Sequence, residues 1–235
     1  IKNLGAGALA GMSADQMGSL TSGQAAAMGL AQIAAIKADQ FAGLSTAAVA
    51  ALSSNQVAVL SATQAAAMTT AQLAAIETAD IKSLSTAALH ALTADQVAAM
   101  SSGQFAAMTT AQAAALSADQ LAAVGTADLN ALGATQFATF GSAQVAAMTT
   151  AQIAKLETAD LAALSTAALK GLNAEAMAAL TTGQVASLTT AQVAGLSTAV
   201  IGALGTAQIA TLTGAQVGAL TADQVSKLDT ADVAV

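Results

Sequence analysis

The chain of 235 residues has no cysteine, no proline, no tryptophan and no tyrosine, and all six of its basic residues are lysines. Without cysteine there is neither a disulfide framework nor thiolate chemistry. The net charge is −7. A chain so poor in basic side chains is unsuited to nucleic acid, whose phosphates have to be neutralised, and to anionic membrane surfaces. We therefore expect no nucleic-acid partner.

Long apolar runs are also missing, although the mean hydropathy is +0.65. Polar residues, above all Ser, Thr, Gln and Asp, recur every few positions, so no run approaches the ~20 apolar residues that span a bilayer. We expect no membrane insertion. No signal peptide is visible at Ile1. The chain starts and stops within its own pattern, which predicts that it is a segment of a longer protein.

One eight-residue pattern fills the chain. From Met68 the sequence reads MTTAQLAA, IETADIKS, LSTAALHA, LTADQVAA, MSSGQFAA. We number the octad p1 to p8, with p1 at Met68. Every p1 residue from Leu4 to Leu228 is apolar, over 29 octads without insertion or deletion. This predicts one continuous array over residues 1–235, with about 29 repeats, in which each repeat contacts only its neighbours.

The octad carries a helix-start signal. Position p2 is mostly Ser or Thr, and p5, three residues later, holds 19 Gln and four Asp, as in Thr93 and Gln96. Ser/Thr-x-x-Gln is the capping box, in which the hydroxyl accepts from the N3 amide and the glutamine accepts from the N-cap amide. Position p6 is apolar in every octad. Since p6 and the next p1 are three apart, they share one helical face.

The same pattern argues against two other architectures. In one long helix, eight residues advance about 800°, so an apolar stripe would drift by roughly 80° per octad. In a β-strand, p1 and p6 would face opposite sides. A β-solenoid remains the alternative. The prediction is an all-α solenoid of very short capped helices, one per octad, joined by single-residue corners and stabilised by burial of p1 and p6.

A longer period overlies the octad. MTTAQ recurs at Met68, Met108 and Met148, which is a spacing of 40 residues, or five octads. Duplication of a five-octad block explains it, and the structural alternative is that about five helices complete one superhelical turn. Both interpretations stay open at this point.

One region departs from the usual octad. Glycine occupies p2 at Gly125, Gly133 and Gly141, next to the bulky Phe137 and Phe140. These glycines predict a looser or more sharply bent region, or a locally altered core that the two rings fill.

Few residues are candidates for chemistry. His90 is the single histidine and has no cysteine or second histidine to join it, so we interpret it as a surface substitution. Glu77 with Asp80, and Glu157 with Asp160, are interpreted as capping boxes in which acids replace Ser and Gln. They lack the six to eight oxygens of a Ca²⁺ loop. We predict no catalytic residue, no cofactor and no metal site, and therefore no enzyme.

The segment LTTAQVAGL at Leu188–Leu196 resembles octapeptide arrays of large secreted bacterial surface proteins, which are grouped with RTX-type adhesins or haem-utilisation/adhesion proteins. The resemblance covers essentially the whole chain and implies an extracellular or cell-surface location in a bacterium. The Gly/Asp-rich nonapeptide of RTX calcium sites does not occur in this sequence, so calcium binding by that route is not expected.

Two functions follow as hypotheses. The first is a structural one, the stalk, spacer or filament body of a bacterial surface or biofilm-matrix adhesin, with self-association end to end or side by side and an unidentified surface or matrix partner. The alternative is a binding module that presents its regular Ser/Thr ladder at p3 to a ligand, a partner or ice.

Overall fold

A computed structural model describes Ile1 and residues 3–233. Over these residues the chain forms 29 α-helices of four to six residues and no β-strand. The prediction of an all-α solenoid with one short helix per octad is confirmed, and the β-solenoid alternative is wrong. Within the described part of the chain, no helix is long and apolar enough to cross a membrane.

The chain divides into two compact units, residues 1–124 and residues 125–235, each of which is described by itself. The second unit begins at Gly125, the first of the three neighbouring p2 glycines Gly125, Gly133 and Gly141. The continuous array over 1–235 stays a prediction. The helices of the first unit are α1 Ala6–Leu9, α2 Ala14–Gly18, α3 Ser22–Ala26, α4 Leu30–Ala35, α5 Ala38–Gly43, α6 Thr46–Ala50, α7 Ser54–Ala58, α8 Ala62–Ala67, α9 Thr70–Ala75, α10 Thr78–Ile81, α11 Thr86–His90, α12 Ala94–Ala98, α13 Ser102–Ala106, α14 Thr110–Ala115 and α15 Ala118–Ala123. Those of the second unit are α16 Thr126–Leu129, α17 Ala134–Phe137, α18 Ser142–Ala147, α19 Thr150–Lys155, α20 Thr158–Ala163, α21 Thr166–Leu169, α22 Ala174–Ala178, α23 Thr182–Ser187, α24 Thr190–Gly195, α25 Thr198–Ile201, α26 Thr206–Ile209, α27 Gly214–Gly218, α28 Ala222–Val225 and α29 Thr230–Val233.

Every helix begins at p3, directly after p2. At the start of α9, Thr69 Oγ1 accepts from the Gln72 amide at 3.1 Å, and Gln72 Oε1 accepts from the Thr69 amide at 2.7 Å. The predicted capping box is therefore formed, and it supplies partners for two of the amides that a helix start leaves without one.

Either half of the box is sufficient to start a helix. Ser45 caps α6 with its hydroxyl although p5 is Ala48, whose amide lies 3.2 Å from Ser45 Oγ. Lys37 has no capping side chain, yet its amide donates to Gln40 Oε1 at 2.8 Å and α5 begins there. The glutamine oxygen can therefore start a helix without a capping hydroxyl.

Helices that reach p8, such as α5, end by a return to extended backbone at p1. Leu44 and Ser45 both have extended backbone angles, and the Leu44 amide donates to the Phe41 carbonyl at 3.1 Å. At least two residues, p1 and p2, thus separate consecutive helices, and the predicted single-residue corner is wrong. No described residue has a positive φ, so glycine is not needed to end these helices.

Within each unit, packing joins helices that lie three apart along the chain. In the first unit α2 packs on α5 and α5 on α8, and in the second α17 packs on α20 and α20 on α23. In each unit, glutamine side chains also join a helix to the fourth preceding one, as described below. One turn of the coil therefore takes between three and four helices, and the interpretation of the 40-residue period as one turn of five helices is wrong.

The core of the coil consists of p6 and p1 side chains, as predicted. Position p6 is buried from Leu9 to Ile209 and p1 from Leu20 to Leu204. Phe137 and Phe140 are both buried, with ring centroids 5.0 Å apart and planes tilted by 52°. The two rings fill the core beside the p2 glycines Gly133 and Gly141. This is the second of the two arrangements expected for this region, a core filled by the two rings.

Glycine is required where stacked helices approach closely. A Cβ on Gly43 would lie 2.6 Å from the Ala14 carbonyl oxygen, and one on Gly171 would overlap the Ser142 carbonyl oxygen. In both cases the carbonyl that the Cβ would meet belongs to a residue 29 positions earlier in the sequence. That residue lies on the third preceding helix. A small residue at p8 in these two octads therefore allows the stacked helices to approach closely.

Candidate functional site

The feature that recurs throughout the structure is a buried glutamine at p5 that joins two helices. Gln72 Oε1 closes the capping box of α9, while Gln72 Nε2 donates to three carbonyl oxygens at the end of α5, those of Phe41 at 3.2 Å, Ala42 at 3.0 Å and Leu44 at 2.7 Å. We call this arrangement a glutamine bridge. Buried glutamines at p5 are Gln32, Gln40, Gln56, Gln64, Gln72, Gln96, Gln104, Gln112, Gln120, Gln144, Gln152, Gln184, Gln192, Gln208, Gln216 and Gln224.

The second unit repeats the geometry. Gln192 Oε1 accepts from the Thr189 amide at 2.7 Å, and its Nε2 donates to the carbonyls of Leu161, Ala162 and Leu164 at 3.1, 3.1 and 2.8 Å. The acceptors again lie 31, 30 and 28 residues before the glutamine. The same bridge thus operates in both units.

The bridge solves a problem that very short helices create. The last four carbonyls of a helix have no partner within it, and in a helix of six residues these are most of its carbonyls. Buried carbonyls need partners, because leaving one unpaired costs about 1–3 kcal/mol. One glutamine side chain therefore starts its own helix and closes the end of the helix four before it.

Sequence reasoning found the first of these functions and missed the second. The signal was available at p5, where 19 residues are Gln and none is Glu. Glutamate completes a capping box as well as glutamine does. Its absence from p5 indicates that the position requires the amide NH₂ group, which only an interaction beyond the box explains.

Aspartate at p5 makes a different contact. The Ser54 hydroxyl donates to Asp80 Oδ1, and Thr206 Oγ1 donates to Asp232 Oδ1 at 3.0 Å. In each pair the hydroxyl lies 26 residues earlier, at p3 of the helix three before. These aspartates therefore join the helices that stack directly on each other.

The prediction that Glu77–Asp80 and Glu157–Asp160 form acidic capping boxes is wrong. Neither glutamate makes a side-chain cap hydrogen bond. The shorter pair Asp229 and Asp232 does form such a box, at 3.2 and 2.8 Å. Because aspartate is one methylene shorter than glutamate, its oxygen lies where the hydroxyl of a Ser or Thr cap would lie.

Asp160 is a p5 aspartate whose stacked helix, α17, has no hydroxyl at p3. The residue 26 positions earlier is Ala134, and Asp160 Oδ2 is buried without a hydrogen-bond partner among the described residues. Desolvation by burial, followed by the nearby Glu157 carboxylate, raises the pKa of Asp160 to about 6. This carboxyl therefore takes up a proton at mildly acidic pH.

His90 lies at the surface, as predicted. It is exposed, and its Nδ1 lies 3.0 Å from the Ala115 carbonyl oxygen, on the helix stacked above α11. Over Ile1 and residues 3–233, no three His, Asp or Glu side chains lie close enough together to hold a metal ion. That the chain has no catalytic, cofactor or metal site stays a prediction.

The p3 hydroxyls do not form one ladder. Since helices stack three octads apart, p3 residues 24 positions apart in sequence follow one another along the coil, and most such rows are interrupted by Ala. The longest row made of threonine alone runs through α20, α23, α26 and α29 in the second unit. It consists of Thr158, Thr182, Thr206 and Thr230.

Comparison with known proteins identifies the repeat. The ALTTAQ repeat matches residues 31–70, 73–110, 121–157, 153–190, 187–214 and 193–230, which together make up more than half of the chain. A search of curated proteins found no significant match. The six letters of ALTTAQ correspond to p8 followed by p1 to p5 of the octad. They include the buried p1 residue, the p2 N-cap and the bridging glutamine at p5. The chain belongs to the ALTTAQ repeat family.

Proposed function

We propose that this chain is a structural spacer, the stalk or filament body of an extracellular bacterial surface or biofilm-matrix adhesin, and that it performs no catalysis. Its task is to hold other parts of a large protein at a distance. The glutamine bridge is the observation that carries the proposal.

The bridge supports a mechanical role because it uses the polar side chains of the octad for the fold itself. In a typical octad the p2 hydroxyl and the p5 amide are both engaged in backbone hydrogen bonds, while p1 and p6 are buried. What stays exposed is mostly Ala, Thr and Ser. A surface of this kind offers few groups for acid–base or nucleophilic chemistry.

A repeat of this kind also suits a spacer because its length is adjustable. Within each unit the helices contact others three and four helices away, so stability is a sum of nearest-neighbour terms. Octads can be added or lost without disturbing distant parts. The resemblance to arrays of secreted surface proteins supports the extracellular location.

The test places the chain between a cell-surface anchor and a fluorescent tag and varies its length by whole octads. Deletion of 69–92, three octads, is expected to lower the tag towards the surface while helical content per residue is kept. The matched control deletes 69–88, which breaks the octad register and should unfold the neighbouring helices. A tag height that does not change with octad number contradicts the spacer role, and failure of antibodies to label intact cells of the native host contradicts the location.

A binding module is the second candidate, and the uninterrupted threonine row favours it. Thr158, Thr182 and Thr230 are exposed at p3 on successive stacked helices. Replacing Thr158 and Thr182 with Lys should abolish binding to ice or to a matrix polysaccharide if this row is a binding surface. The control replaces Thr86 and Thr110, whose row is interrupted by Ala62. Equal binding by both variants refutes this candidate.

A further inference from the structure

One cavity lies where a glutamine bridge is missing. At p5 of α25, in the second unit, the chain has Val200 instead of glutamine, and a cavity of about 390 Å³ lies beside this side chain. The cavity is formed by the end of α21, the end of α24 and the start of α25. Its lining residues are Leu169, Lys170, Leu172, Gly195, Ser197 and Val200.

Three of the lining residues carry the carbonyls that a bridging glutamine would reach. Gln192, at p5 of α24, donates to carbonyls 31, 30 and 28 residues before it. Counted back from Val200, the same steps lead to Leu169, Lys170 and Leu172. Valine has no donor, and within the described part of the chain no other side chain donates to these three carbonyls. The cavity therefore occupies the position of an absent carboxamide group.

The acceptor that a bridging glutamine supplies is missing here as well. At the start of α24 the Thr189 amide donates to Gln192 Oε1 at 2.7 Å. At the start of α25 the Ser197 hydroxyl still caps the helix, since it accepts from the Val200 amide at 3.3 Å. The Ser197 amide itself has no hydrogen-bond partner among the described residues. The cavity wall thus presents one N–H donor together with three carbonyl acceptors.

This set of groups matches a primary carboxamide. Its oxygen would accept from the Ser197 amide and its NH₂ group would donate to the carbonyls, as the glutamine side chain does in the bridges. A carboxylate has no donor for the carbonyls, and an ammonium or guanidinium group has no acceptor for the amide. Water carries both, but the cavity is much larger than one water molecule and part of its wall is Leu and Val, which favours a ligand with an apolar part.

The cavity is open to solvent on one side. Lys170, Gly195 and Ser197 are exposed, whereas the leucines and Val200 are buried. A ligand can therefore enter without unfolding the coil. The Lys170 ammonium has no carboxylate partner among the described residues, so it suits a ligand whose other end is acidic.

From this geometry we propose that the cavity binds a primary carboxamide, held between the Ser197 amide and the carbonyls of Leu169, Lys170 and Leu172. The carboxamide belongs to a small molecule or to a glutamine side chain of another polypeptide. Free glutamine, whose carboxylate can meet the Lys170 ammonium, is the simplest ligand of this class. The site adds a binding function to the spacer and does not depend on the spacer role.

The test is an NMR titration of the 235-residue chain, observed at the Ser197 backbone amide. Propionamide should shift this signal to saturation with a Kd on the order of 1–10 mM, as expected for so small a ligand. The isosteric ketone 2-butanone, in which a methyl group replaces NH₂, should give no saturable shift. The Thr189 amide, which Gln192 already engages, is the internal control and should respond to neither compound.

Two variants locate the binding in this cavity. Val200→Gln supplies the carboxamide from within the chain, so Ser197 should lose its response to propionamide and the thermal midpoint should rise. Val200→Ala leaves the Ser197 amide and the three carbonyls open, so its response should be kept. Circular dichroism verifies that each variant is folded. If Val200→Gln is not, the comparison of propionamide with 2-butanone on the parent chain decides the question.

Two further titrations identify the source of the carboxamide. Free glutamine should bind more tightly than propionamide, and Lys170→Met should remove this difference. The peptide acetyl-Ala-Gln-Ala-N-methylamide presents the same group on a polypeptide, with no other primary amide. Saturation by free glutamine alone assigns the site to a small molecule, and saturation by the peptide assigns it to a glutamine side chain of a partner protein.

The inference is overturned if propionamide gives no saturable shift at Ser197, if 2-butanone binds equally well, or if folded Val200→Gln still responds. It is also overturned if neither glutamine nor the peptide binds. The cavity would then hold water alone. Each of these results leaves the spacer proposal intact, since a coil without a ligand can still hold two parts of one protein apart.

Discussion

Replacing one interior bridging glutamine with glutamate should separate the two functions of the p5 side chain. In Gln72→Glu the carboxylate still accepts from the Thr69 amide, so the capping box is retained. The NH₂ group that donates to Phe41, Ala42 and Leu44 is lost. Each net hydrogen bond contributes about 0.5–1.5 kcal/mol, and a buried carboxylate facing carbonyl oxygens adds a desolvation cost. We expect a loss of roughly 2–4 kcal/mol at neutral pH.

The matched control is Gln24→Glu, in which the same atoms change at an exposed p5 position. Because Gln24 Nε2 has no partner among the described residues, the free energy of unfolding at low protein concentration should change by no more than about 0.5 kcal/mol. Urea unfolding followed by circular dichroism at 222 nm compares the two variants with the parent chain.

Long repeat arrays do not always unfold in one step, so the location of the loss has to be measured too. Hydrogen exchange with mass spectrometry should show faster exchange in Gln72→Glu in the helices that the bridge joins, residues 38–44 and 70–76. Acidification should restore part of the stability, because a protonated glutamate regains one donor. Equal stability of Gln72→Glu and Gln24→Glu would refute the bridge as a stabilising contact.

Three other predictions follow from particular residues. Gly171→Ala should lower the free energy of unfolding by about 1–3 kcal/mol because its Cβ has no space, whereas Gly183→Ala, with nothing within 4 Å, should raise it by up to about 1 kcal/mol; urea unfolding of both variants gives the sign. The pKa of Asp160 is raised from 3.8 to about 6 in the folded chain. Its contribution to the free energy of unfolding is therefore fully present below pH 4 and is lost as the pH rises through 6. The loss is on the order of 3 kcal/mol. Asp160→Gln should remove that dependence and raise the thermal midpoint at pH 7, and an unchanged pH profile would count against the assignment. Phe137→Ala should lower the free energy of unfolding by about 3–5 kcal/mol by opening a cavity in the core, and Phe137→Leu by clearly less; equal thermal midpoints for the two would contradict the packing described.

The local part of the fold was predictable because its signals lie within one octad. The capping residues at p2 and p5 and the apolar residues at p1 and p6 are at most seven positions apart, so helix starts and the buried face follow from sequence spacing alone. The acidic pairs were misjudged at the same local level. Glu77 was treated as an equivalent of Ser or Thr, but its longer side chain does not cap, and its partner Asp80 turns to Ser54 instead.

The glutamine bridge marks the limit of local reasoning. Whether Gln72 Nε2 meets a carbonyl depends on which helix lies behind it. That is set by how far the segments between helices turn the chain at every octad. The 40-residue period suggested five helices per turn, but a sequence period produced by duplication carries no information about corner angles.

The sequence by itself determined that this chain is a string of some 29 capped helices with one apolar face, since capping and burial of that face are fixed by residues in contact along the chain. Only the tertiary structure decided that helices stack at the third step and are bridged at the fourth. The physical reason is that each corner between helices rotates the chain by a small angle. The sum of these rotations over three to four corners selects the carbonyl that each buried amide reaches, and no local signal encodes that sum.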